Sequence, residues 1–214
     1  MWLAWNRYYV RQLEIKLQAI DPSVTVRYWD FSLDSQAPHQ SPVWNYLGHN
    51  GVGPDHAVSD GPFMNWTPAY PTAHRLRRNW DNGTTISAFH SPEAMNRIIA
   101  NSSRYDELRQ NLEYTPNANV HVVIGGDMAT TAAPNDPVFW LVQAYMDALW
   151  SQWQQKHPAN ATDYNSTNQN GTIAQSSDQL PGFLATVRDT FSTNSFCYRY
   201  EPLGGSPPGS TSGG

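Results

Sequence analysis

From Val138 to Trp150 the chain reads VFWLVQAYMDALW, apolar or aromatic everywhere except at Gln143 and Asp147. A helix that is hydrophobic all round belongs in an interior, so this segment is predicted to form the centre of the fold. Asp136 supplies a cap and Pro137 a first helical position, which predicts a helix from there to about Gln155. Upstream, the run beginning near Asn117 reads as a short helix that stops at Gly125-Gly126, with a loop closing on Asn135-Asp136-Pro137.

At the start of the chain Trp2, Asn6, Tyr9, Leu13, Leu17 and Ile20 are spaced 4, 3, 4, 4 and 3 apart, a helical stripe. Arg7, Arg11, Glu14 and Lys16 fall largely off that stripe, and Asp21-Pro22-Ser23 ends the helix. Asn6 is thereby predicted to face inward, where an amide without hydrogen-bond partners costs about 1–3 kcal/mol. Val24–Phe31 alternates enough for a short extended piece. Ser32–Thr85 is rich in Gly, Pro, Asn and Asp, and reads as a loop layer held down by Trp44, Phe63, Trp66 and Trp80. Loops this long in a compact domain usually serve function or binding. Ser91-Pro92-Glu93 starts a helix through Met95 and Ile99, Tyr105–Leu112 forms a second, and a last short helix is predicted near Phe183 to Val187. The fold class is therefore mainly α with little β. Gly204–Gly214 contains only Gly, Ser, Pro and Thr, so the chain divides into a domain over 1–202 and a tail or linker over 203–214.

The bulk numbers narrow the function. With 214 residues, 39% hydrophobic and 14% charged, the chain can build one sizeable core. It lacks the run of about 18 apolar residues that a membrane span needs. A net charge of -5 offers no basic face, which argues against a nucleic-acid partner. Nine Trp and eleven Tyr point to a core of large rings. Cys197 is the only cysteine, so no internal disulfide forms. Asn-x-Ser/Thr sequons stand at Asn65, Asn82, Asn101, Asn160, Asn165 and Asn170, the last three within NATDYNSTNQNGT. They favour a secreted, N-glycosylated protein, although no signal peptide precedes the first helix. His39, His49, His56, His74 and His90 lie in loop-like surroundings and His157 near a helix end. None has the H-x-x-x-H spacing of a helical metal site, so they read as surface or loop hydrogen-bonding groups.

Several segments resemble one family in order along the chain. These are Leu3-Ala4-Trp5-Asn6-Arg7-Tyr8, Tyr28-Trp29-Asp30, Ser59–Phe63, Leu76–Asn79, Pro116–His121, Gly125–Met128, Asn135–Ala144 and Tyr198-Arg199-Tyr200. Across about residues 2 to 200 they resemble the tyrosinases, catechol oxidases and molluscan haemocyanins, the type-3 copper proteins. The resemblance implies a four-helix bundle with long loop layers, here lacking the family's N-terminal helix segment. It also implies six histidines holding two coppers between which dioxygen binds.

Carried over by position, those ligands are largely gone. The third ligand of the first copper falls on Asn6, and its first two would lie upstream of Met1. The second copper's ligands fall on Asn117, His121 and Gln143, with Val142 and Ala118 at two flanking positions that the family often fills with His and Asn. One imidazole with amides is a poor copper site. The resemblance thus implies a scaffold without copper or other cofactor, in which Asn6, Asn117, His121 and Gln143 form a structural polar plug. The expected function is a non-catalytic, secreted structural or assembly module rather than an enzyme. Its expected partners are N-linked glycans and either further copies or a neighbouring chain segment filling the groove of the absent helix. The alternatives are a copper-dependent phenol or catechol oxidase, and a metal-free phenol- or glycan-binding module.

Overall fold

The structure is a computed structural model that describes residues 1–168 and 171–201, so the sequon at Asn170 and the 203–214 tail lie outside the described residues. Among the described residues there are six α-helices: α1 Trp2–Gln18, α2 Val43–Leu47, α3 Pro92–Asn101, α4 Tyr105–Leu112, α5 Ala118–Ile124 and α6 Pro137–Lys156. Among the described residues the β content is one antiparallel hairpin of β1 Gly51–Val52 and β2 Ala57–Val58, besides isolated bridges. The mainly helical class is as predicted.

Helix α6 is the axis of the bundle. Every residue from Val142 to Ser151 is buried, and α1, α3 and α5 pack around it. Its start is set locally, because the Asp136 carboxylate accepts the Val138 N–H at 3.0 Å and Pro137 occupies the first turn. Ser91 caps α3 in the same way, accepting the Ala94 N–H at 3.4 Å. Between α5 and α6 the chain turns at Gly125 and Gly126, with φ of 67° and 57°. A Cβ at Gly125 would lie 2.1 Å from the Asn79 carbonyl oxygen, and one at Gly126 2.2 Å from that of Arg77. Both positions need glycine for space as well as for backbone angle.

The loop layer between β2 and α3 is pinned to this frame by charge. Arg78 and Asp136, both with fully buried side chains, pair through two bonds of 2.7 and 2.8 Å. The guanidinium also donates to the Leu47, Gly48 and His49 carbonyls, so α2, the loop and the α6 cap share one cation.

Three expectations need correction. The inward face of α1 is Leu3, Asn6, Arg7, Val10 and Glu14, one residue round from the predicted stripe, while Ile20 is 86% exposed. Arg7 and Glu14 are buried because partners distant in sequence meet them: Asp147 and the Trp150 ring for Arg7, the Val26 N–H for Glu14. The short extended piece read at Val24–Phe31 joins no ladder: the Val26 N–H goes to the Glu14 carboxylate and the Trp29 N–H to the Leu141 carbonyl. In the loop layer Trp44 and Trp80 are core, but Trp66 is 48% exposed and Phe63 half-buried. The helix near Phe183–Val187 is replaced by a turn in which Leu180 N–H bonds to the Ala185 carbonyl, followed by 3-10 turns at Val187–Thr190 and Thr193–Phe196.

Candidate functional site

Three polar side chains, Asn117, His121 and Gln143, meet between α5 and α6. Pro116 has no N–H to give an α-helical ladder, and Glu113–Asn117 takes a π-helical turn that leads into α5. Single π turns inside helices are frequent at functional sites. Asn117 and His121, four residues apart, lie on one face of the helical run and look across to Gln143 on α6.

The bonding there is directional. The His121 Nδ1 lies 2.7 Å from the Met128 carbonyl oxygen, which only accepts, so Nδ1 carries the hydrogen. In the neutral ring Nε2 is then an acceptor, and it receives an N–H from the Gln143 amide at 3.2 Å. The other Gln143 amide hydrogen goes to Asn117 Oδ1 at 2.9 Å. Burial lowers the His121 pKa below the ordinary imidazole value, which keeps the ring neutral and matches this tautomer. Phe139 closes one side of the ring edge-on, centroids 5.9 Å apart.

Asn6 is 4% exposed, on α1 next to Arg7, but no hydrogen bond joins its side chain to the other three. Asn6 Nδ2 and Gln143 Oε1 are buried without a partner. The expected four-residue plug is thus a bonded trio, with Asn6 buried outside it.

The remaining histidines sit where loop chemistry places them. His49 pairs with Asp60 at 2.6 Å, His74 with Asp127 at 2.9 Å, and His157 Nε2 donates to the Ile99 carbonyl at 3.0 Å. His39 departs from the expectation, since its Nδ1 is buried and unpartnered. Among the sequons Asn65, Asn82 and Asn101 are exposed, while Asn160 and Asn165 are half-buried. Asn82 and Asn160 use their amide nitrogens in bonds to Ser87 Oγ (3.0 Å) and the Ser103 carbonyl (2.8 Å). Cys197 is exposed and free.

Sequence reasoning missed one cluster. Arg7 stacks 3.7 Å over Trp150 and pairs with Asp147, whose other oxygen accepts the Tyr198 hydroxyl and the Tyr200 hydroxyl, the latter at 2.7 Å. The available signal was Asp147 itself, a lone carboxylate in an apolar helix that had to find a cation.

The family model for the common central domain of tyrosinase matches residues 1–156. The chain belongs to the tyrosinase family. It is 35% identical over 176 residues to a tyrosinase of Streptomyces glaucescens, an alignment covering 74% of this chain and 64% of that protein. The chain therefore spans just under two thirds of the length of that relative. Among solved structures it resembles a polyphenol oxidase of Thermothelomyces thermophila, with TM-score 0.65 and 21% identity over 94% of this chain and 72% of that one. It also resembles a functional unit of Octopus haemocyanin, with TM-score 0.60 and 20% identity over 94% of this chain and 52% of that one. At these identities the two structures speak for the fold, a type-3 copper protein bundle.

The family implies copper, and the residues present do not fit it. Between α5 and α6 the donors are one imidazole and two carboxamides, and the imidazole lone pair is already taken by an amide N–H. Copper sites of this kind rest on several neutral imidazoles, with amides far weaker as ligands. Among the described residues no three His, Cys, Asp or Glu side chains come together in a metal-holding group.

Proposed function

We propose that this chain is a non-catalytic tyrosinase-like domain, a secreted glycoprotein module used for structure or assembly. Asn117 and Gln143 stand where the family places copper-ligating histidines, and His121 is the remaining imidazole of that set. The observation that carries the reading is the 3.2 Å bond from Gln143 Nε2 to His121 Nε2, which turns a ligand atom into part of a hydrogen-bonded core. Asn and Gln keep the polarity of histidine, and a neutral amide-imidazole chain holds α5 to α6 without a metal.

Support for the structural role comes from the surface. Trp66, Tyr70, Val122 and Leu184 are exposed at 48%, 60%, 67% and 95%, apolar area suited to contact between copies. Three exposed sequons give accessible positions for glycans. The name of the Streptomyces relative favours a second reading, a phenol oxidase, against which the donor chemistry stands.

The deciding experiment incubates the purified, folded chain with Cu(II), removes free metal by gel filtration and measures bound copper together with catechol oxidation. The expected result is far less than one copper per chain and no oxidation above the free-metal control. Stoichiometric copper with catechol turnover would overturn the proposal. Light scattering on the same sample tests the assembly role, which predicts a species heavier than the monomer, and a strict monomer counts against it.

A further inference from the structure

His74 lies in the loop between β2 and α3, outside the amide-imidazole trio. Its side chain is 10% exposed and that of its partner Asp127 is 8% exposed. The His74 Nδ1 is 2.7 Å from the Thr72 carbonyl oxygen, and Nε2 is 2.9 and 3.1 Å from the two carboxylate oxygens of Asp127. A carbonyl and an ionised carboxylate only accept, so each ring nitrogen has to donate. A neutral imidazole has one N–H, and only the imidazolium satisfies both contacts.

The pair joins two pieces of chain that have different jobs. On one side, Asp127 belongs to the 3-10 turn Gly126–Ala129, where the Met128 carbonyl fixes the His121 ring. On the other, His74 closes the loop over 66–76, in which His74 N–H bonds to the Pro68 carbonyl and Leu76 N–H to that of Trp66. Asn135 holds the same loop, through its Nδ2 to the Tyr70 carbonyl (2.7 Å) and its own carbonyl to the Trp66 indole (2.9 Å). Asp127 also accepts the Arg77 N–H at 3.3 Å. Trp66 and Tyr70, two exposed rings, ride on this loop.

We propose that His74 is a protonated clamp fastening loop 66–76 to the turn at Gly126–Ala129, so that rising pH frees the loop and re-poses its two exposed aromatic rings. The charged groups that face it are Asp127 from the turn, which favours the cation, and Arg77 from its own loop, which opposes it. The bond to the Thr72 carbonyl is the largest influence on His74 and raises its pKa above the ordinary value; burial lowers it, and the Asp127 bond and charge raise it further. The sign follows: a raised pKa means the clamp is at full strength below the unfolded histidine value of about 6.5 and is lost as pH rises through the folded value.

The test is NMR on the folded chain from pH 5.5 to 9. Ring nitrogen shifts report the protonation of His74, and hydrogen exchange at the Leu76 and Arg77 amides, corrected for intrinsic rates, reports loop opening. The expected result is a His74 doubly protonated at pH 6.5, with loop opening increasing by about tenfold for each unit by which its pKa is raised. In His74→Gln and in Asp127→Asn the corrected opening is expected not to vary with pH in this range. A neutral His74 at pH 6.5, or opening in the wild type that ignores pH, would overturn the clamp. So would a parallel rise in exchange at core amides of α6 such as that of Leu149, which marks global unfolding instead of loop release.

Discussion

Gln143 on α6 donates an amide hydrogen to the one lone pair that His121 on α5 has to offer, across 3.2 Å. Its second amide hydrogen is held by Asn117 at 2.9 Å, so the side chain spans two residues of the facing helix. The consequence is a cross-link between helices that works only while all three side chains stay neutral and polar.

Replacing Gln143 with leucine keeps the bulk and removes both donors. Asn117 Oδ1 and His121 Nε2 are then left in the interior without those hydrogens, at a cost of about 1–3 kcal/mol. Urea unfolding followed by circular dichroism should show a lower midpoint with an unchanged slope. An unchanged midpoint would mean that the amide does not bridge the helices.

The same geometry predicts a gain of function. The double variant Asn117→His with Gln143→His gathers three imidazoles about the space now held by the amide. Three neutral imidazoles suit Cu(II) and Zn(II), so the variant should bind about one equivalent per chain, where the wild type is expected to bind far less. Equilibrium dialysis with elemental analysis measures it, and a folded variant that stays metal-free would show that the helices stand in the wrong register for ligation.

Arg7 and Asp147 predict a different kind of loss. Their side chains are 0% and 1% exposed, and Tyr198 and Tyr200 both donate to the same carboxylate. Arg7→Met strands a buried charge and should destabilise the fold by about 3–5 kcal/mol, whereas Arg7→Met with Asp147→Leu should recover much of that. Denaturant unfolding of both variants checks this, and equal losses in the two would dismiss the stranded-charge explanation.

Acid should loosen the segment over 163–168 first. Asp163 accepts two bonds from Arg104 at 2.7 and 3.1 Å, while Asp106 accepts from Arg109, Ser166 and Gln110. The Arg104 bond is the main cause that lowers the Asp163 pKa; for Asp106 burial is the largest influence and raises it, yet the bonds from Arg109, Ser166 and Gln110 outweigh burial. A lowered carboxylate contributes stability that is present above the unfolded value of about 3.9 and lost as pH falls through the folded value. Limited proteolysis with an acid protease at pH 3 should therefore cut within 163–168 before it cuts α6. Equal susceptibility of the two would contradict the prediction.

Much of the frame was legible because it depends on local backbone chemistry. Ser91-Pro92 and Asp136-Pro137 begin helices wherever they stand, through a side-chain cap and a ring that pre-sets φ, and both helices start where they were read. Gly125-Gly126 ends α5 for a similarly local reason. The run from Val138 to Trp150 had to be interior, since only Gln143 and Asp147 interrupt its apolar residues. That Asn117 and Gln143 carry amides was likewise a matter of residue identity, available from the chain alone.

What only the tertiary structure decided depends on partners far apart in sequence. The buried face of α1 turns on Arg7, whose carboxylate partner lies 140 residues away, and a hydropathy pattern counts that arginine as outward. Asn6 shared the polarity of the trio but not its bonds, and its Nδ2 is buried without a partner. His74 looked like any loop histidine until Thr72 and Asp127 were seen to face both of its nitrogens. The chain itself determines which groups are available and where helices begin. Packing decides which of those groups meet, and so which charges an interior can hold.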